Sequence, residues 1–272
     1  MLGLAIDSAD RTASAALWTD DVEKRVDGSF APLVVEALPS EAGKADQLIT
    51  VIERLLGEHG LGYGDLDVIA VNRGPGSFTG IRSAVALGRG LALAAGLPVL
   101  GVTSHQALAA VIGDDGGRHP LMIALDARRG EVYVQSFAAD GRAISEIEAK
   151  APVAVADGLG AGCWRLAGSG ARLVLEHLSN AADVRPDAAD VRPDAADVRP
   201  DAADVRPDAA DVRLIEVQPI DAAAVAGAAA ARLSAGEKPK GGFTLRPLYV
   251  RAPDAVPPAP LISTTAASEV PV

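Results

Sequence analysis

The stretch VNRGPGSFTGIRSAVALGRGLALAAG, residues 71–96, places glycines at 74, 76 and 80 directly after an apolar run and directly before an alanine- and glycine-rich one. A strand, a glycine loop and a helix N-terminus in that order make a ready anion site, because glycines let backbone approach a ligand and the first helical N–H groups point outward. Gly74, Gly76 and Ser77 are candidate phosphate contacts on this reading, together with Asp7 and Ser8 at the end of the first strand. The detailed patterns do not fit. A Walker loop needs a lysine and a hydroxyl residue after its last glycine, whereas Ile81 and Arg82 follow Gly80, and the dinucleotide pattern needs a glycine where Thr79 stands. The helix offers a competing explanation. Ala84, Ala86, Gly88, Gly90, Ala92, Ala94 and Ala95 leave it small on nearly every side, and each internal glycine costs about 1 kcal/mol relative to alanine. Close approach of other backbone, a sheet on one face and a helix on the other, offsets that cost. The segment therefore reads first as the entry to a packing helix and second as an anion loop.

Working outward, LGLAID at Leu2–Asp7 and TASAALW at 12–18 read as a hairpin, with a third strand within 22–30. Leu48, Ile49, Val51, Ile52, Leu55 and Leu56 follow the spacing of a helix over 40–56 that stops at Gly57 and Gly60. A strand at 65–71, a helix at 77–95, the strand LPVLGV at 97–102 and a short helix from Ser104 follow. A hairpin and then alternating strand and helix predict an α/β fold, a mixed sheet with helices on its faces. The pattern restarts at PLMIALDARRGEVYVQSF, residues 120–137, so that Asp7 and Asp126 hold matching places and two related halves are expected. The expected division is 1–103, a smaller half at 104–250, and a loose tail at 251–272. Within the second half, ADVRPDA occurs four times over 182–209 and ADVR follows at 210–213. Proline in every unit rules out a coiled coil, and one valine per unit cannot build a core, so 182–213 reads as a charged, extended insert. A helix at 220–233 and an ordered strand or extended segment at LRPLYVR, 245–251, complete the chain.

Composition narrows the function. Of the 272 residues 49% are apolar, net charge is −11, and aromatic residues are few, leaving little material for neutralising phosphates or stacking bases; any contact with RNA is expected to be made by a partner. No run is long enough to span a membrane, the alanine run at 222–231 included. The start carries no basic leader, and the lone Cys163 excludes an internal disulfide, so a cytoplasmic protein is expected.

The loop, the LPVLGVTS strand, the DARRGEVY hairpin and a terminal PLYVRAPDA together resemble the bacterial TsaB (YeaZ) family over most of 1–138 and 219–255. The resemblance implies an actin-like fold of two halves, as in sugar kinases and chaperone ATPases. It also implies a subunit without catalytic residues of its own that pairs with the transferase TsaD and supports it, alongside the ATPase TsaE, in making threonylcarbamoyladenosine beside the tRNA anticodon. The catalytic relative holds a metal through H-x-x-x-H after the strand matching LPVLGV; here Ser104 and Leu108 stand in those places, so no metal site is expected. His105, displaced by one, reads as a surface or capping residue. Actin-like ATPases open each half with aspartate-glycine-hydroxyl, whereas this chain has Asp7-Ser8-Ala9 and Asp126-Ala127-Arg128, lacking the glycine in both. No cofactor is required by the chain on this reading, with ATP or ADP at the heterodimer junction as the remaining option. The partner face is expected on the helices at 40–60 and 77–96, through Leu48, Ile52, Leu55, Arg82, Val85, Gly88, Arg89 and Ala92, and a homodimer could use the same face. The alternative is a kinase or ATPase acting alone from Asp7 and the glycine loop.

Overall fold

The computed structural model describes residues 1–10, 12–19, 32–37, 44–113, 115–160, 162–178 and 210–251. Strands β1 (Leu2–Asp7), β2 (Ser14–Thr19) and β3 (Pro32–Ala37) form an antiparallel ribbon; β1 then pairs in parallel with β4 (Val68–Asn72), and β4 with β5 (Pro98–Val102). The second half repeats the plan. β6 (Leu121–Arg128), β7 (Glu131–Phe137) and β8 (Glu148–Lys150) are antiparallel, and β6 continues in parallel to β9 (Gly162–Ala167) and β10 (Ala210–Ile215). The sheet orders β5-β4-β1-β2-β3 and β10-β9-β6-β7-β8 are the same, so the duplication suggested by Asp7 and Asp126 is a property of the fold. A short β11 (Lys240–Gly241) is added to the edge of the first sheet, against β5.

Alternation along the strands decides the layers. Leu4, Ile6, Ile69 and Val71 pack with α1 (Lys44–Glu58) and α2 (Phe78–Ala95) on one face of the first sheet. Their neighbours Ala5, Val68, Ala70 and Leu100 face a middle layer of α3 (Ser104–Ile112) and α6 (Ala222–Ser234), which also covers Leu121, Ile123 and Phe137 of the second sheet. Beyond that sheet, Met122, Ala124, Val134 and Leu166 pack with α4 (Pro152–Asp157) and α5 (Ala171–Leu175). The alanine run is thus the buried middle helix, where small side chains let two sheets approach. Among the described residues no helix is long and apolar enough to cross a membrane.

Two expectations are corrected, the place of the third strand and the end of the insert. The described third strand is Pro32–Ala37, while 22–30 lies outside the described residues. ADVR at 210–213 is not insert: it forms the edge strand β10, with Val212 and Leu214 buried in alternation with exposed Asp211 and Arg213. The rest of the repeat and the tail from 252 also lie outside the described residues. Residues 245–251 run extended without joining a sheet, tied down by a hydrogen bond from the Leu248 N–H to the Arg73 carbonyl at 2.8 Å.

Candidate functional site

The parallel strands β1, β4 and β5 end on one edge, where a ligand of an open α/β sheet is ordinarily received. Asp7, Asn72 and the start of α3 meet there. The Asn72 Nδ2 donates to Asp7 Oδ1 at 2.7 Å, the Ala9 N–H donates to the same oxygen at 3.3 Å, and Asn72 Oδ1 accepts from the Gly74 N–H at 2.9 Å. The Ser104 hydroxyl lies 3.1 Å from Asn72 Oδ1 and 2.7 Å from the Pro75 carbonyl, either of which can take its one proton. Asp7 and Ser8 are fully buried, and Asp7 Oδ2 and Ser8 Oγ have no partner. Burial pushes the Asp7 carboxyl up to about 7, against the lowering effect of its bond from Asn72.

The sequence-chosen residues Asp7, Ser8, Gly74, Gly76 and Ser77 are therefore brought together, but backbone against backbone. A Cβ on Gly76 would come within 2.3 Å of the Ala9 carbonyl oxygen, and one on Gly80 within 1.8 Å of that of Ser8. Three amides of the loop and helix start are spent internally: Ser77 N–H on the Ala9 carbonyl at 2.6 Å, Gly80 N–H on Ser77 Oγ at 3.3 Å, Ile81 N–H on the Ser77 carbonyl at 2.9 Å. Ser77 serves as N-cap of α2. At Asp7 itself the full burial of the carboxyl and the close backbone contacts at Gly76 and Gly80 oppose the approach of a phosphate. The second half repeats the corner with GSG at 168–170, which sequence reasoning passed over. The Asp126 N–H donates to Ser169 Oγ at 3.0 Å, the Gly170 N–H to the Ala124 carbonyl at 2.9 Å, and a Cβ on Gly168 would meet that carbonyl oxygen at 2.3 Å. The available signal was two glycines directly after a strand.

At the metal positions drawn from the resemblance, Ser104 is buried in the loop network and Leu108 in the core; among the described residues no group of three or more His, Cys, Asp or Glu side chains could hold a metal. His105 is corrected from surface to core. It is fully buried and ties α3 to β7 through Nε2, 3.0 Å from the Tyr133 carbonyl; burial pushes it down to about 4, against the raising effect of that bond. A cavity of about 590 Å³ is lined by Arg73, Thr103 and Gln106 together with Gln135, Ser145 and Glu146. The buried Gln135 spends Nε2 on the Ser145 carbonyl at 3.0 Å and leaves Oε1 without a partner.

The expected partner face is also corrected. Leu48, Ile52, Leu55, Val85, Gly88 and Ala92 are buried in this chain's own core, with Gly88 held so close to β4 that a Cβ would meet Val71 Cγ2 at 2.5 Å. Arg82 and Arg89 are exposed. The outward face of α2 instead presents Phe78, Arg82, Ala86, Arg89, Gly90 and Leu93. The Arg82 guanidinium lies 3.8 Å from the Phe78 ring centre, and its Nε donates to the Tyr249 hydroxyl at 2.7 Å.

Two similarly wound halves, five alternating layers and an aspartate at the end of the first strand of each half define the actin-like class. A model of the family described as "TsaD: tRNA N6-adenosine threonylcarbamoyltransferase" matches residues 37–185, more than half of the chain. The chain belongs to this family, and within it to the TsaB (YeaZ) group. It is 35% identical over 141 residues to the tRNA threonylcarbamoyladenosine biosynthesis protein TsaB of Escherichia coli, covering 52% of this chain and 57% of that one. It is 30% identical over 159 residues to the TsaB of Bacillus subtilis, covering 57% and 63%. The chain thus spans less than two thirds of the length of either relative. The solved YeaZ of Pseudomonas aeruginosa superposes with a TM-score of 0.63 over 91% of this chain and 99% of that one, at 24% identity, a likeness of fold.

Proposed function

We propose that this chain is a non-catalytic subunit in the formation of threonylcarbamoyladenosine beside the tRNA anticodon, pairing with a TsaD-type transferase through the outward face of α2 and working alongside a TsaE-type ATPase. The relatives' names supply the pathway. The observation that carries the pairing is where the apolar surface lies. Phe78, Leu93, Phe243 and Tyr249 make up half of the large apolar side chains exposed among the described residues. Phe78 and Leu93 share one side of α2, Tyr249 stands 5.8 Å from Phe78 between ring centres, and the turn Gly242–Thr244 lies against α2, with a Cβ on Gly242 reaching 3.1 Å from that of Ala92. Aromatic residues and arginines around a small-residue surface have the composition of an interface centre.

Size-exclusion and calorimetric titration with a TsaD-type subunit test the pairing. A heterodimer is expected, and Leu93→Glu should weaken it by at least about tenfold while melting like the wild type, because Leu93 is 66% exposed. Undiminished affinity in that variant would show that the partner sits elsewhere, and self-association through this face would appear as a dimer of the isolated chain. A kinase or ATPase acting alone needs Asp7 to reach its ligand, which full burial opposes; turnover of magnesium-ATP that disappears in Asp7→Asn would overturn the pairing reading.

A further inference from the structure

Arg73, directly after β4, is fixed at both backbone groups: its N–H donates to the Val102 carbonyl at 2.8 Å, and its carbonyl accepts from the Leu248 N–H at 2.8 Å. Its stem lies over Gly101, where a Cβ would come within 2.9 Å of Arg73 Cδ. Nε is buried with no hydrogen-bond partner, and no carboxylate pairs with the guanidinium among the described residues. The neighbouring charge is a second cation, Arg232; burial first and that neighbour second hold the Arg73 guanidinium below its ordinary value. Arg232 is itself pinned, donating to the Gly101 carbonyl at 2.7 Å, to Gln106 Oε1 at 3.1 Å, and in a fork to Glu237 at 2.6 and 2.8 Å.

A cavity of about 170 Å³ lies between these arginines and is lined as well by Lys238 and Lys240, so that Arg73, Arg232, Lys238 and Lys240 face it against the one carboxylate of Glu237. In a chain of net charge −11, this is a local excess of positive charge around a half-buried guanidinium whose desolvation nothing in the described fold offsets. We propose that this cavity binds a phosphate anion, either free pyrophosphate or the phosphate tail of a nucleotide. A carboxylate would answer one of the surplus charges, whereas a multiply charged phosphate answers them all, taking its hydrogen bonds from the Arg73 guanidinium and the two lysines while Arg232, held on Glu237, adds its charge. The cavity opens between β5, β11 and the end of α6, away from the Asp7 corner and the outward face of α2.

Calorimetric titration of the whole chain with pyrophosphate, ATP without magnesium, and acetate tests this. Saturable pyrophosphate binding that weakens with added salt and exceeds acetate binding is expected. Arg73→Gln should lose at least about tenfold in affinity. Because that variant also removes packing over Gly101, the exposed pair Lys238→Gln/Lys240→Gln provides the second measurement, with a severalfold loss and an unchanged melting temperature. Asp7→Asn should bind as the wild type does. Equal binding of ATP and pyrophosphate assigns the site to a nucleotide's tail, and pyrophosphate binding alone assigns it to the free anion. No saturable heat with pyrophosphate, or wild-type affinity in both the arginine and lysine variants, overturns the proposal. No arm requires the transferase, so failure here leaves the pairing through α2 standing.

Discussion

At Asp7 the folded carboxyl titrates near about 7 instead of 3.8, and at His105 the folded imidazole titrates near about 4 instead of 6.5. The two act in opposite directions. Between pH 3.8 and about 7 the unfolded chain has released the Asp7 proton that the folded chain keeps, so this contribution is full below pH 3.8 and is lost as pH rises through about 7. Between pH 6.5 and about 4 the unfolded chain binds a proton at His105 that the folded chain refuses, so that contribution is present above pH 6.5 and is lost as pH falls through about 4. Asp7→Asn keeps the oxygen that accepts from Asn72 and Ala9 and removes the titration. The variant should gain stability over the wild type by about 1 kcal/mol or more at pH 7.5 relative to pH 4.5, and its own stability should fall toward acid as His105 is left unopposed. Denaturant unfolding at the two values checks it; a constant difference between variant and wild type would place the Asp7 pKa near its ordinary value.

Of the three glycines in α2, the mid-helix pair Gly88 and Gly90 separates what the element needs from what it merely tolerates. Gly88 is pressed against Val71, whereas a Cβ on Gly90 meets nothing within 4 Å. Gly88→Ala should cost about 1–3 kcal/mol by overpacking, and Gly90→Ala should stabilise the isolated chain by about 0.5–1 kcal/mol, both measured by denaturant unfolding. The sequence suggested close approach on two sides of this helix, and Gly88 accounts for one of them. The helices α1 and α2 and the hairpin at Leu2–Asp7 were legible in the sequence, α1 by its apolar spacing. The outward side was not, because the interface was sought among the same apolar residues that the chain needs for its own core. His105 was misjudged because its partner, the Tyr133 carbonyl, comes from another element. β10 was missed because ADVR was read as repeat, although followed by Leu214 and Ile215 instead of proline it alternates as a strand should.

Over the whole molecule the five layers explain a composition that looks unbalanced locally. Alanine accumulates in α6 because that helix is closed in between two sheets, and four cations, Arg73, Arg232, Lys238 and Lys240, line the cavity beside β5. The repeat belongs to this scale as well, because its last, partial unit supplies the fifth strand of the second sheet. Deleting one or two complete units within 182–209 should alter unfolding free energy by less than about 1 kcal/mol, since closing a connection changes by only about 0.6 kcal/mol per doubling of its length. Removing 210–213 itself should lower the melting temperature sharply, by exposing the face of the sheet that Val212 covers. The sequence ADVR recurs ahead of Leu214, so any in-frame gain or loss of complete units regenerates the same strand beside β9. A chain that gains or loses complete units therefore keeps Val212 and Leu214 in the same register beside Trp164 and Leu166.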